Sequence, residues 1–278
     1  LENISSDTLR KESIAKLVLL EAKKEEGTSA KEIVSLLMET LDAKTKALDP
    51  EIVSSITHQV ISDLKQFGLL EGPKKIKNTD LGNVVNALTQ SPYDAQFIVR
   101  SIAGKEKISD FLLLFMACST GLAKDVRNFN LTVSEKKKMK SIAEKLGVDL
   151  AGTSLNASLR RALILAEFIR EEKIGNITSR YAYFNDNDIY ELSKYASRSM
   201  NEIAKIAKKI GRPEIAARAE LLAQRIMYGV KEDLIDSKLV FLSEVGRVRG
   251  RRLLNAGLES IENVAKAPRL KIIDVARV

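Results

Sequence analysis

A single cysteine, Cys118, excludes an internal disulfide and any cysteine-based zinc site in this chain. That usage fits a reducing, intracellular compartment. Histidine is equally scarce. His58 is alone, so no second imidazole can share a metal with it, and it reads as a solvated helix residue. Tryptophan is absent, there are five prolines, and aromatics make up 5% of the chain, while Leu, Ile, Ala, Lys and Glu dominate. Such a composition favours helices over sheet. The longest apolar run, Phe111 to Cys118, is far too short to span a bilayer, and the N-terminus lacks a basic region followed by an apolar signal core. No membrane association is expected. That run is apolar on every side, as the central helix of a bundle would be, with Cys118 in the core.

What is present is length, apolar content and positive charge. With 278 residues, 45% of them hydrophobic, the chain can form two or three globular domains. The formal charge is +8, and from Leu239 to Val278 eight Lys and Arg face four Asp and Glu, so +4 of it lies in the last forty residues. This points to an acidic partner. The stretch Leu242 to Val264 carries the densest cluster. Gly246 closes a turn, a helix is expected from about Val248 with Val248, Leu253 and Ala256 facing inward, and Gly257 ends it before Ser260 caps another. Helix starts of this kind present free N–H groups to an anion, and Arg247, Arg249, Arg251 and Arg252 add planar donors suited to phosphate oxygens. The pattern is a helix-hairpin-helix with a phosphate clamp.

Toward the N-terminus, helical spacing ends at Gly27, Thr28 or Ser29 with Glu32 forms a capping box, and Asp49 with Pro50 opens a third helix. A short strand, a loop and a return strand follow between Gly68 and Lys77. Three helices and a hairpin is the winged-helix order. The outward face of the third helix, with Ser54, Thr57, His58, Ser62 and Lys65, lacks the Arg, Asn and Gln density of a base-reading surface. Beyond Asp80 helix follows helix, with breaks at Ser91 and Pro92, Gly104, Gly121, Gly147 and Gly152. The lysines of Glu135 to Lys140 read as a solvated face, and Ser158 to Glu172 as an amphipathic helix. From Asp188 to Ile210 two faces separate: Ile189, Leu192, Ala196, Ser199, Ile203, Ala207 and Ile210 on one, Tyr190, Lys194, Arg198, Asn201, Lys205 and Lys208 on the other. A basic stripe led by an aromatic suits a single-stranded backbone, and Tyr195 lies on its flank.

Several segments carry a resemblance: LGNVVNAL at Leu81 to Leu88, LLLFMACST at Leu112 to Thr120, SMNEIA at Ser199 to Ala204, YGVKEDL at Tyr228 to Leu234, and VGRVRGRRLLNAGLESIENVA at Val245 to Ala265. In this order they resemble the C-terminal half of archaeal superfamily-two DNA helicases of the HELQ type. The resemblance implies a mainly α chain: a winged helix (1–84), a seven-helix ratchet bundle (85–236) and a terminal helix-hairpin-helix (237–278). It also implies a parent helicase that translocates from three-prime to five-prime, with ATP and Mg bound in motor domains outside this chain. Indeed no G-x-x-x-x-G-K-[S/T] loop or D-E-x-H occurs here, so neither cofactor nor metal is expected in this chain. A chain opening at Leu1 and stopping just after a helical segment also reads as an excerpt. In the family, a ratchet helix holds bases with a basic residue and a bulky aromatic. Aligned through Met200, Tyr195 takes the aromatic position and Asp188 the basic one, whereas alignment through the helix start gives the aromatic position to Arg198. The expected partner is single-stranded or branched DNA, bound by a monomer, with RNA open as well. A freestanding winged-helix regulator would instead protect a defined duplex site, and a helical interaction scaffold would have little use for four arginines in six residues.

Overall fold

Side-chain caps set where several of the helices begin. The computed structural model describes residues 10–40, 44, 48–126, 133–146, 153–181 and 183–277 and is mainly α-helical. After α1 (Lys11–Glu21), Ser29 starts α2 (Ala30–Met38). The Ser29 hydroxyl accepts from the Glu32 N–H and the Glu32 carboxylate accepts from the Ser29 N–H, the reciprocal pair that the spacing predicted. Asp49 accepts from the Glu51 N–H at the head of α3 (Pro50–Gln66). Strand β1 (Leu70–Glu71) then pairs antiparallel with β2 (Lys77–Asn78), and a bridge joins Ile76 to Thr28, between α1 and α2. Two more capped helices follow, α4 (Asp80–Asn86) behind Thr79 and α5 (Pro92–Ile102) behind Ser91.

The described residues up to Lys105, with Lys205–Pro213, form one compact unit, and 106–204 with 214–277 form a second. In the first, Ile14, Val18, Ile33, Val53, Leu64 and Ile98 are fully buried. Thr57 joins them, against the expectation that it faces outward. Its hydroxyl donates to the Val53 carbonyl one turn back at 2.7 Å, so the polar group is satisfied within the helix and the methyl packs in the row of Val53 and Ile61. Gly82 in α4 sits where an added Cβ would lie 2.0 Å from the Leu69 carbonyl oxygen, so the helix rests directly on the chain entering β1.

The second unit is a stack of helices: α6 (Asp110–Ser119), α7 (Val133–Leu146), α8 (Thr153–Phe168), α9 (Ile174–Arg180), α10 (Asp186–Lys209), α11 (Pro213–Tyr228) and α12 (Glu232–Asp236), then α13 (Gly246–Asn255), α14 (Ile261–Lys266) and α15 (Arg269–Ala276). Only the last residues of α10, from Lys205, belong with the first unit. Leu112 to Cys118 are buried without a break, as the all-round apolar run requires, and burial pushes the Cys118 thiol up to about 12, which leaves it unreactive. Lys137 and Lys140 on α7 are exposed, while Gly147 and Gly152 lie outside the described residues. Arg218 of α11 grips both oxygens of Asp110 at 2.7 and 2.6 Å and Glu232 at 2.8 Å, tying α6, α11 and α12 together. No helix among the described residues is long and apolar enough to cross a membrane.

Helix propensity alone predicts that Gly82→Ala stabilises α4 by about 1 kcal/mol. The contact with Leu69 reverses the sign: we expect a loss of about 1–3 kcal/mol in chemical denaturation of the whole chain, the range for overpacking.

Candidate nucleic-acid interface

The long helix α10 begins with a reciprocal cap: Asp188 accepts from the Asn185 N–H at 2.8 Å and Asn185 accepts from the Asp188 N–H at 3.0 Å. Asp188 is thereby buried at the helix start. From there α10 is buried over most of its circumference, on more than the single apolar face that the sequence predicts. Ile189, Leu192, Ala196, Met200, Ile203 and Ala207 are enclosed, and so are Ser193, Ser197 and Ser199, whose hydroxyls donate to the carbonyls of Tyr190, Ala223 and Thr120. What remains exposed is narrow and mostly basic.

That strip holds Tyr190, Lys194, Arg198, Asn201, Lys205 and Lys208, all exposed, with Tyr195 half-buried on its flank. Spacings of three and four keep the six on one line, running about 27 Å at 1.5 Å per residue. Between Tyr190 and Lys208 the strip's one carboxylate is Glu191, because Glu202 is turned inward. Tyr190 is 50% exposed, and its ring meets the buried Phe168 edge-on at 6.1 Å.

The arginine cluster is less available than its sequence suggests. Gly246 has φ +55 with no atom near its missing Cβ, so it is there for the turn, and α13 starts without a side-chain cap. Arg247 lays its guanidinium over the Phe168 ring at 4.7 Å and donates from Nη2 to the Glu172 carbonyl at 2.7 Å, while Nη1 is buried without a partner. Burial holds its pKa below the usual arginine value. Arg249 donates to the Glu244 carbonyl at 2.6 Å. Arg251 commits four of its five N–H groups: it bonds both oxygens of Glu171 at 2.7 and 2.6 Å and both of Asp233 at 2.7 and 2.6 Å. Arg252 alone of the four is exposed with no hydrogen bond or ion pair among the described residues. Val248 also departs from expectation, being 49% exposed. The helix starts two residues early, and Gly250 is buried where an added Cβ would lie 3.3 Å from the Leu234 methyls, which leaves Val248, about 200° around the helix, facing outward.

The two sequence candidates nevertheless meet. A cavity of ≈ 470 Å³ is lined by Tyr190 at the head of the strip, by Arg247, Val248, Arg251 and Arg252 of α13, and by Glu171, Lys173 and Ile174. Sequence reasoning placed Phe168 in the core, where it is buried, but missed its part in this cavity and that of Glu171. It carried α8 on to Glu172, whereas the helix stops at Phe168 and Glu171 takes φ +66. With no glycine or asparagine at that position, no local signal marked the end.

No protein-family model matches the chain. It is similar to curated proteins named ATP-dependent DNA helicase Hel308, which bears out the resemblance read from the sequence. The relative from Methanocaldococcus jannaschii is 29% identical over 192 residues, 68% of this chain and 15% of the relative. Those from Thermoplasma acidophilum and Pyrobaculum calidifontis are 27% and 28% identical over 73% and 86% of this chain, and 28% and 33% of their own lengths. The chain thus spans a third or less of each of these relatives.

Arg251→Met should cost about 2 kcal/mol of unfolding free energy, less than the loss for a fully buried pair because Asp233 is half exposed. The Arg251 hydrogen bonds hold the Asp233 carboxyl below its ordinary value. A depressed folded pKa stabilises above the unfolded value, about 3.9, and that contribution fades as pH falls through the folded one. Denaturation at pH 6 and at successively lower pH should therefore show the difference between wild type and Arg251→Met narrowing below about pH 4. Arg252→Ala should leave stability within about 0.5 kcal/mol of wild type.

Proposed function

We propose that this chain is the C-terminal DNA-binding region of an ATP-dependent three-prime to five-prime DNA helicase, holding the single strand during translocation. The exposed basic strip on an otherwise buried α10 carries the reading. Fixed cations in a line on a rigid helix suit a polyanion that slides, because each phosphate meets an equivalent charge after a short displacement. Tyr190, Lys194, Arg198, Asn201, Lys205 and Lys208 are the proposed contacts, with Tyr195 beside them as a second ring for stacking. Residues 1–84 then act as a winged helix, 85–236 as the ratchet domain and 237–278 as a helix-hairpin-helix.

At the hairpin the proposed roles divide. Arg252, the uncapped N–H groups from Gly246 and the cavity beside Tyr190 receive phosphate, whereas Arg247, Arg249 and Arg251 shape and hold the turn that presents them. ATP and Mg belong to motor domains outside this chain. The similarity to Hel308 helicases supports such a parent protein. The partner is single-stranded or branched DNA bound by a monomer in the nucleoid, and RNA would be gripped by the same backbone contacts. A duplex-reading regulator finds little support, since the hollow along α3 is lined by Pro50, Glu51, Ser54, Ser55, His58, Gln59 and Ser62, without a cation.

Binding to an oligodeoxythymidylate, followed by fluorescence anisotropy across a salt series, tests the reading. Replacing Lys194, Arg198, Lys205 and Lys208 by Gln should lower the log–log salt slope by about 0.7 per residue. An unchanged slope and affinity would exclude α10 as the track.

A further inference from the structure

The C-terminal end of the strip runs into an apolar notch. A hollow of ≈ 440 Å³ is floored by Val84, Ala87 and Leu88 at the end of α4 and rimmed by Lys205, Lys208 and Lys209. All six belong to the same compact unit. The three lysines differ in availability. Lys209 is paired with Asp80 at 2.6 Å, and its bond holds that carboxyl below the ordinary range, whereas Lys205 and Lys208 are exposed and make no hydrogen bond or ion pair among the described residues. The floor is firm: Leu88 is buried, and its carbonyl accepts from the Lys16 ammonium at 2.7 Å. Ala87 is the exposed residue on it.

An apolar floor under cationic rims asks for a ligand with a flat or bulky apolar part joined to an anion. An isolated Leu or Val patch needs no ligand, and a ring of lysines alone would suit any anion. Their combination at one point is more selective, because lysine stems extend the apolar wall while the ammonium heads stay in water. We propose that this notch holds one unstacked base of the single strand whose phosphates follow α10, with Lys205 and Lys208 gripping the phosphates on either side of it. The proposal rests on the reading of α10 as the track. Continuity selects a nucleic acid over an acidic peptide: Lys205 and Lys208 are at once the last two members of the strip and the notch's free rim. No polar side chain lines the floor, so the base edge stays in solvent and any base is accepted.

The test uses the whole chain and a 12-nucleotide oligodeoxythymidylate in which each residue in turn is abasic or 2-aminopurine. The notch predicts one register, near one end of the bound segment, at which the abasic residue weakens binding about fivefold and the fluorophore responds to binding. In Ala87→Glu both effects should vanish while circular dichroism and thermal melting stay those of wild type; a milder Ala87→Ser, keeping the register effect, controls for misfolding. Equal affinity for every abasic position, with the salt slope intact, overturns the notch and leaves the track standing. No binding to any oligomer overturns the track. Displacement of the strand by an acidic peptide bearing one Leu or Phe, in wild type and not in Ala87→Glu, overturns the nucleic-acid occupant.

Discussion

Burying a 24-residue helix around nearly its whole circumference is the constraint on which the second unit is built. Each polar side chain turned inward along α10 needs an acceptor, and Ser193, Ser197 and Ser199 find theirs in carbonyls of α10 itself, of α11 and of the turn after α6. Small residues at these positions let the neighbours close in. What the packing leaves uncovered is one narrow line, on which Lys194, Arg198, Lys205 and Lys208 place their charges in water. Exposure and charge therefore coincide along it.

The terminal hairpin is held to the segment after α8 and to α12 through fewer, stronger links. The cluster of Val230, Leu234, Leu239, Val240, Leu253 and Leu258 gives it an apolar centre, and Arg251 fastens it to Glu171 and Asp233. A guanidinium bonded to two carboxylates contributes rigidity, because its planar fork fixes both partners. It does so at the cost of availability to any outside anion. Formal charge in the last forty residues thus overstates the charge facing solvent.

Local signals made much of this legible. Ser29 with Glu32, Asp49 with Pro50, Ser91 with Pro92 and Ser260 placed helix starts, and the three-and-four spacing from Ile189 onward separated the faces of α10. The errors came where distant residues decide. Thr57 reads as polar until its hydroxyl is bonded to Val53, Val248 reads as core until Gly250 turns the helix, and the arginines read as a clamp until their carboxylate and carbonyl partners, up to eighty residues away in sequence, are brought to them. Periodicity reports which side of a helix is buried, not which charges are already neutralised.

Phe168 shows what such packing does over time. Its ring tip points at Gly229, where even a methyl would lie 2.4 Å away, and one face is covered by the Arg247 guanidinium, itself bonded to the Glu172 carbonyl. An aromatic ring turns over only when its surroundings dilate, and the bonded Arg247 guanidinium is one wall of those surroundings. The rate of that half-turn is a clock for opening of the hairpin: rapid ring averaging would mean a hairpin that breathes often, and slow averaging one that waits.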